Sequence, residues 1–203
     1  MVLKDERASV LEDGHTYHST SCTANLGSIP EPGELLLTAM LSVTRPSSCR
    51  YVAGPLTTSK EYYESLAVKI LEEDAVRRRN QEYISRVVAT LRDQSPIPVV
   101  DPGLLRVPNW NHAAYGRFFL RVLEELCFEA WFVDGWEFST GATKEFVFAV
   151  QRNVTCLDER GHPLTIGRGT ELIYQAATFV QQLGLSDNVL TRRLAMLKNV
   201  RSR

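Results

Sequence analysis

Four short apolar segments, each stopped by turn residues, alternate along this chain with longer stretches whose apolar residues recur at helical spacing. That alternation limits the choice of fold more than any other feature. Residues 49–53 (CRYVA) read as a strand stopped by Gly54-Pro55, and residues 97–100 (IPVV) as a second, ended by Asp101-Pro102-Gly103. Residues 130–133 (AWFV) give a third, ending at Asp134-Gly135, and residues 153–157 (NVTCL) a fourth. Between the first two, residues 59–92 place Tyr62, Leu66, Ile70 and Leu71, then Tyr83, Val87, Val88 and Leu91, on helical faces. One long helix and two helices joined near Asn80 both fit. Helices are expected at 112–127 and 141–151, and two more at about 169–183 and 188–200. Strands alternating with helices make parallel βαβ units, and largely apolar strands suit a sheet covered on both faces. The expected fold is an α/β, Rossmann- or flavodoxin-like three-layer domain with a mostly parallel sheet.

Residues 1–47 precede this alternation. The first 33 show no sustained period and read as a loose extension or lid, and 34–43 (ELLLTAMLSV) fit a helix or a strand equally. The expected division is an N-terminal extension at 1–47, a core at 48–160, and C-terminal helices at 161–203 that pack on the core or form a subunit interface. The chain has 203 residues, enough for one real core. Its net charge of −1 lacks the clustered basic surface that long nucleic acid requires. Arg192, Arg193, Lys198, Arg201 and Arg203 read as a solvated helix face and tail. No apolar run approaches a membrane span, and no signal peptide opens the chain. Cys22, Cys49, Cys127 and Cys156 form neither a zinc spacing nor a disulfide framework, which points to a reducing cytoplasm. His15 and His18 lack further ligands in sequence, so neither a metal nor a cofactor is expected.

In open α/β sheets, ligands sit beyond the carboxyl ends of the strands. Two stretches at those ends carry chemistry. In residues 134–145 (DGWEFSTGATKE), a strand end runs through a loop into a helix. Ser139, Thr140 and Gly141 suit a helix start, whose free N–H groups favour anions. Glu145 falls in the second turn, at the edge of the apolar face, leaning back toward the loop. An acid early in a helix is also favoured by the helix dipole alone. In residues 51–59 (YVAGPLTTS), Gly54 permits close backbone approach to a ligand, and Thr57, Thr58 and Ser59 are hydroxyls suited to a sugar or phosphate. A plain strand–turn–helix capped by Ser59 fits equally. Neither a P-loop nor GxGxxG is present.

Taken together, Tyr51-Val52-Ala53-Gly54-Pro55 and the set Asp134-Gly135-Trp136, Ser139, Gly141-Ala142 and Glu145 resemble the nucleoside 2-deoxyribosyltransferase-like superfamily. The nearer match is to a branch of small proteins with Y-x-A-G-P and D-G-W-x-x-S-x-G-A-x-x-E motifs. The resemblance covers roughly residues 48–160. It implies an enzyme that cleaves or transfers at the N-glycosidic bond of a nucleoside or its 5′-monophosphate, within nucleotide metabolism. Glu145 would be the nucleophile, Ser139 would contact phosphate, and Gly54-Pro55 would frame the sugar. It also implies a homo-oligomer, since a neighbouring subunit often completes such sites.

Glycosidic cleavage builds positive charge on the sugar, which a carboxylate stabilises or captures covalently. It also needs a group that helps the base leave. Related enzymes carry an Asp on the helix before the third strand; residues 111–126 contain none. His112 and Tyr115, one turn apart at the helix start, and Asp134 at the strand end are the remaining candidates. Asp134 also fits simple turn chemistry with Gly135, and His112 a capping or surface position. Trp136 is a candidate to stack on a base, or a packed loop residue; Trp110 is a weaker version of the same idea. Tyr51 fits beneath the sugar or as a buried strand residue. The alternatives of deoxyribosyl transfer and of a non-catalytic nucleotide-sensing module remain open, with NAD a minor substrate option.

Overall fold

The computed structural model describes residues 31–186 and 188–201. Helix α1 (Pro32–Val43) leads into strand β1 (Cys49–Ala53), followed by α2 (Lys60–Ala67), α3 (Glu73–Gln94) and β2 (Val99–Val100). Then come α4 (His112–Leu126), β3 (Cys127–Phe132), a 3-10 turn (Trp136–Phe138), α5 (Thr140–Gln151), β4 (Thr155–Asp158), α6 (Ile166–Gln182) and α7 (Asn188–Arg201). The four strands form one parallel sheet in the order β2-β1-β3-β4, so β1 is flanked by β2 and β3. Tyr51 lies beside Val100 on one side and Ala130 on the other. This is a three-layer α/β fold.

Strand side chains alternate between the two faces. Val52, Val99 and Val133 pack under Ile84, Val88 and Leu91 of α3. Tyr51, Ala53, Ala130 and Phe132 turn the other way, toward Phe119 and Leu123 of α4 and Phe146 of α5. The second face is much thicker: α1 packs on α4, and α6 and α7 pack on α5. Leu37 of α1, Ile173 of α6 and Leu190 and Leu197 of α7 all belong to the same core as the sheet. The segments on either side of 48–160 thus contribute to the same core as the sheet. Helix α6 reaches α5 only because residue 169 is glycine: a Cβ there would lie 2.2 Å from the Phe146 ring.

Several expectations shift. The break in 59–92 falls between Ala67 and Glu73, not near Asn80, which is buried in the middle of α3. Lys69 adopts a left-handed backbone there (φ 58°). The following run Glu72, Glu73 and Asp74 favours a new helix start, where acids oppose the exposed N–H dipoles. Residues 34–43 are helical. Strand β3 begins three residues early because α4 passes into it without a loop, and Cys127 pairs opposite Cys49. Helix α6 begins at Ile166, where Thr165 accepts the Arg168 amide as a cap. His15, His18 and Cys22 lie outside the described residues.

Candidate active site at the carboxyl edge of the sheet

Because β2 and β3 lie on opposite sides of β1, the chain leaves β1 in one direction and returns on the other. Loops diverge at such a switch point and open a crevice. A cavity of about 240 Å³ lies there. It is walled by the end of β1 (Gly54, Thr57), the loop after β2 (Pro102, Arg106), and the first turns of α4 and α5. Its volume is just below the ~300–1,000 Å³ of ordinary small-molecule sites, too small for a folded polymer.

Glu145 lines this cavity from the second turn of α5. The helix starts where the residue types dictate. Ser139 is the N-cap, its Oγ accepting the Ala142 amide at 3.2 Å, and Thr58 Oγ1 accepts the Thr140 amide at 3.1 Å. Thr58 thus ties the loop after β1 to α5 and sets the two motif segments against each other. The Gly141 amide has no hydrogen-bond partner among the described residues, and Gly141 lines the cavity.

Tyr51 rises from β1 directly beneath. It is wholly buried, and its hydroxyl donates to Glu145 Oε1 at 2.8 Å. Oε2 has no partner among the described residues. Glu145 is half-buried, and the surface it keeps belongs to the cavity wall. Loss of water around the carboxyl pushes its pKa up to about 7; the Tyr51 hydrogen bond and the nearby Lys144 ammonium act against that rise without cancelling it. Tyr51 is pushed well above the ordinary phenol range by burial and by the adjacent carboxylate, so it remains a donor. A carboxyl that titrates near neutrality, anchored through one oxygen and unpartnered at the other, matches the requirements of a nucleophile or a proton-transfer group.

Of the residues expected at a site, Gly54, Thr57, His112, Tyr115, Ser139, Gly141 and Glu145 all line this one cavity. Tyr51 sits below it. Tyr115 presents its ring, while its hydroxyl is tied to both the amide (2.9 Å) and the carbonyl (3.3 Å) of Val107. Gly54 has a packing role besides: a Cβ there would lie 2.8 Å from Ile84. Three expectations are corrected. Trp136 is only 2 % exposed, packed between Phe132 and Phe146, and cannot stack on a ligand. Pro55 does not line the cavity; it sits against Gly135, whose positive φ (85°) forms the turn after β3. Asp134 points away, into an acidic group with Glu159 and Asp158, where burial and then Glu159 repulsion raise its pKa. Asp134 lies in the turn beyond the end of β3, where its amide is held by the same Glu159 that Tyr83 of α3 bonds, while Glu145 lies on α5. Trp110 packs against Tyr115 and Phe118, and His162 closes a turn on Asp158.

Sequence reasoning missed Arg77 and Gln81 of α3, Arg106 of the loop after β2, and Phe119 of α4, all of which line the cavity. Arg77 and Gln81, four residues apart, share one polar face of α3, which was the signal available for them.

Among the described residues no three His, Cys, Asp or Glu side chains are grouped to hold a metal, and no helix is long and apolar enough to cross a membrane. Cys49, Cys127 and Cys156 are buried free thiols. Burial raises the pKa of Cys127 and Cys156, the latter to about 12, which leaves them poor nucleophiles. In comparisons with known proteins, no family model, no curated protein and no solved structure matches the chain.

Proposed function

We propose that this chain is an N-glycosidase that cleaves the bond between base and sugar in a nucleoside 5′-monophosphate, with Glu145 as the nucleophile. The observation that carries the reading is the Tyr51–Glu145 pair: a desolvated carboxyl, held by one hydrogen bond at Oε1 with Oε2 free, on the wall of a small cavity. The resemblance of the two motif segments to the nucleoside 2-deoxyribosyltransferase-like superfamily supports it independently, since Gly54, Ser139, Gly141 and Glu145 come from both motifs and wall the same cavity.

In this reading the ionised Glu145 attacks the anomeric carbon through Oε2 as the C–N bond breaks, and the electron pair leaves on the base. Tyr51 holds Oε1 and fixes the carboxylate plane. Water then attacks the same carbon, the carboxylate departs, and the sugar is released with retained configuration. The 5′-phosphate has a ready place at the start of α5, beside the free Gly141 amide and the Ser139 hydroxyl, whose proton is still available to donate. Attack requires the deprotonated form, so activity should rise with pH through about 7.

Incubation with a panel of nucleosides, nucleotides and NAD, with free base followed by chromatography, tests the proposal. Base release in water alone supports hydrolysis; release only with an acceptor base indicates deoxyribosyl transfer; binding without turnover indicates a sensing module. Sedimentation of the active species tests whether a homo-oligomer is the working form.

A further inference from the structure

The wall of the cavity facing α5 is made by α3 and the loop after β2, and its polar side chains share one property. Arg106 donates Nη1 to the carbonyls of Gly103 (2.8 Å) and Leu105 (2.9 Å), and Nη2 to Gln81 Oε1 at 3.0 Å. The Gly103 amide is in turn held by Asp101 Oδ1 at 2.8 Å. These bonds fix the guanidinium in place and occupy the side-chain acceptor of Gln81, leaving its amide N–H groups. Arg77 adds a second guanidinium. Among the described residues, apart from His112, whose ring nitrogens can donate or accept, the side chains able to bond a ligand on this wall are donors. Among the described residues Glu145 is the one carboxylate lining the cavity, and it stands on the α5 side.

Resting on the N-glycosidase reading, this arrangement has a consequence for the base. With the sugar at Glu145 and the phosphate at the start of α5, the base has the α3 and β2-loop wall left to it. Adenine and cytosine present amino donors to such a wall and depart most easily when an acid protonates them. Uracil and hypoxanthine present carbonyl acceptors and can depart as resonance-stabilised anions. We propose that this cavity selects nucleotides of oxo bases, with Arg106 contacting the base and stabilising the negative charge it acquires on leaving. The C–N electron pair goes to the base ring, Glu145 bonds to the anomeric carbon, and the water that later frees the sugar supplies the proton that neutralises the base. Arg77 and Arg106 are exposed, so the preference rests on the charge-assisted bond that an oxo group accepts from a guanidinium and an amino group cannot.

Matched pairs test this effect: uridine against cytidine 5′-monophosphate, and inosine against adenosine 5′-monophosphate, each pair exchanging an oxo for an amino group and, with it, the adjacent ring N–H for a bare ring nitrogen. Calorimetric titration of the full chain, carrying Glu145→Gln to prevent turnover, should show the oxo member binding at least tenfold more tightly in both pairs. Adding Arg106→Met should bring the oxo members down to the level of their amino partners, with melting curves confirming the fold. Adding Arg106→Lys instead should retain part of the preference. Equal binding within each pair, tighter binding of the amino members, or no binding of any of the four overturns the inference. So does an Arg106→Met effect equal for both members, which would place the guanidinium on the phosphate. A parallel assay of base release with the unmodified chain separates the two readings. Oxo preference without base release removes the glycosidase and keeps the recognition; equal release from amino nucleotides does the reverse.

Discussion

Two tyrosine–glutamate hydrogen bonds tie this fold together, and they have opposite consequences. Tyr51 to Glu145 (2.8 Å) joins β1 to α5 on the thick face; Tyr83 to Glu159 (2.5 Å) joins α3 to the turn after β4 on the thin face. Glu159 Oε2 accepts a second bond from the Asp134 amide at 3.0 Å. Glu159 is a half-exposed carboxylate with two donors, both on Oε2, and solvent around the rest; it acts as a latch between elements. Glu145 has one donor, a free oxygen and little water, so its charged form is under-stabilised. The residue types and the bond are the same; the number of donors and the surrounding solvent decide whether the pair holds the structure or is poised for chemistry.

The largest expected effect comes from Glu145→Gln. Base release should fall at least ~1,000-fold, as when a covalent nucleophile is removed. The fold should become more stable at the same time. A carboxyl whose folded pKa lies above its unfolded value stabilises below the unfolded pKa and loses that contribution as pH rises through the folded one. The ordinary value of 4.5 rises to about 7, so wild-type stability should decline across that window. At ~1.4 kcal/mol per pH unit, the variant should gain at most about 3.5 kcal/mol at pH 8 and nothing below about pH 4.5. Denaturant unfolding at both pH values measures this; a loss of stability at pH 8 would mean that Glu145 holds the fold as Glu159 does.

Tyr51→Phe should lower the turnover number by roughly 10–100-fold, the cost of losing one charge-assisted bond of ~1.5–3 kcal/mol. Since that bond holds the Glu145 pKa down, the acid limb of the pH–rate profile should move to higher pH. An unmoved limb would make Tyr51 a packing residue only. Tyr83→Phe should leave turnover within a factor of about two and cost about 1 kcal/mol of stability, modest because the bond is half-exposed. A large loss of activity would show that the two pairs are coupled through the sheet. Glu159→Gln keeps an acceptor for both donors, so a few tenths of a kcal/mol is expected. Its charge raises the Asp134 pKa, so the Asp134 carboxyl resonance should titrate at lower pH in the variant, observable by NMR.

The layout of this site was legible wherever local chemistry decides it. The apolar run 49–53 ending in Gly54-Pro55 marked β1, and Ser139 followed by Thr140 and Gly141 marked the start of α5. The sheet rule then placed Gly54, Thr57, Ser139 and Glu145 at one edge. Legibility failed where neighbours come from afar. Tyr51 was read only as a residue beneath the sugar or in the core, because its partner lies 94 residues away. Trp136 fitted stacking on a base and packing in the loop alike; the rings of Phe132 and Phe146 enclose it. Asp134 and Glu145 share one motif, yet Asp134 lies in the turn after β3 beside Glu159, and Glu145 on α5 lines the cavity.

What the chain alone determined is the succession of strands and helices, with their caps and stops, since periodicity, prolines, glycines and hydroxyl caps act within a few residues. Tertiary structure alone decided which of several acids loses its water, which tyrosine donates to it, and that Gln81 and Arg106 meet on one wall of the cavity. Desolvation and hydrogen bonding between distant segments depend on the packed arrangement of the sheet and its helices, and no local pattern encodes them.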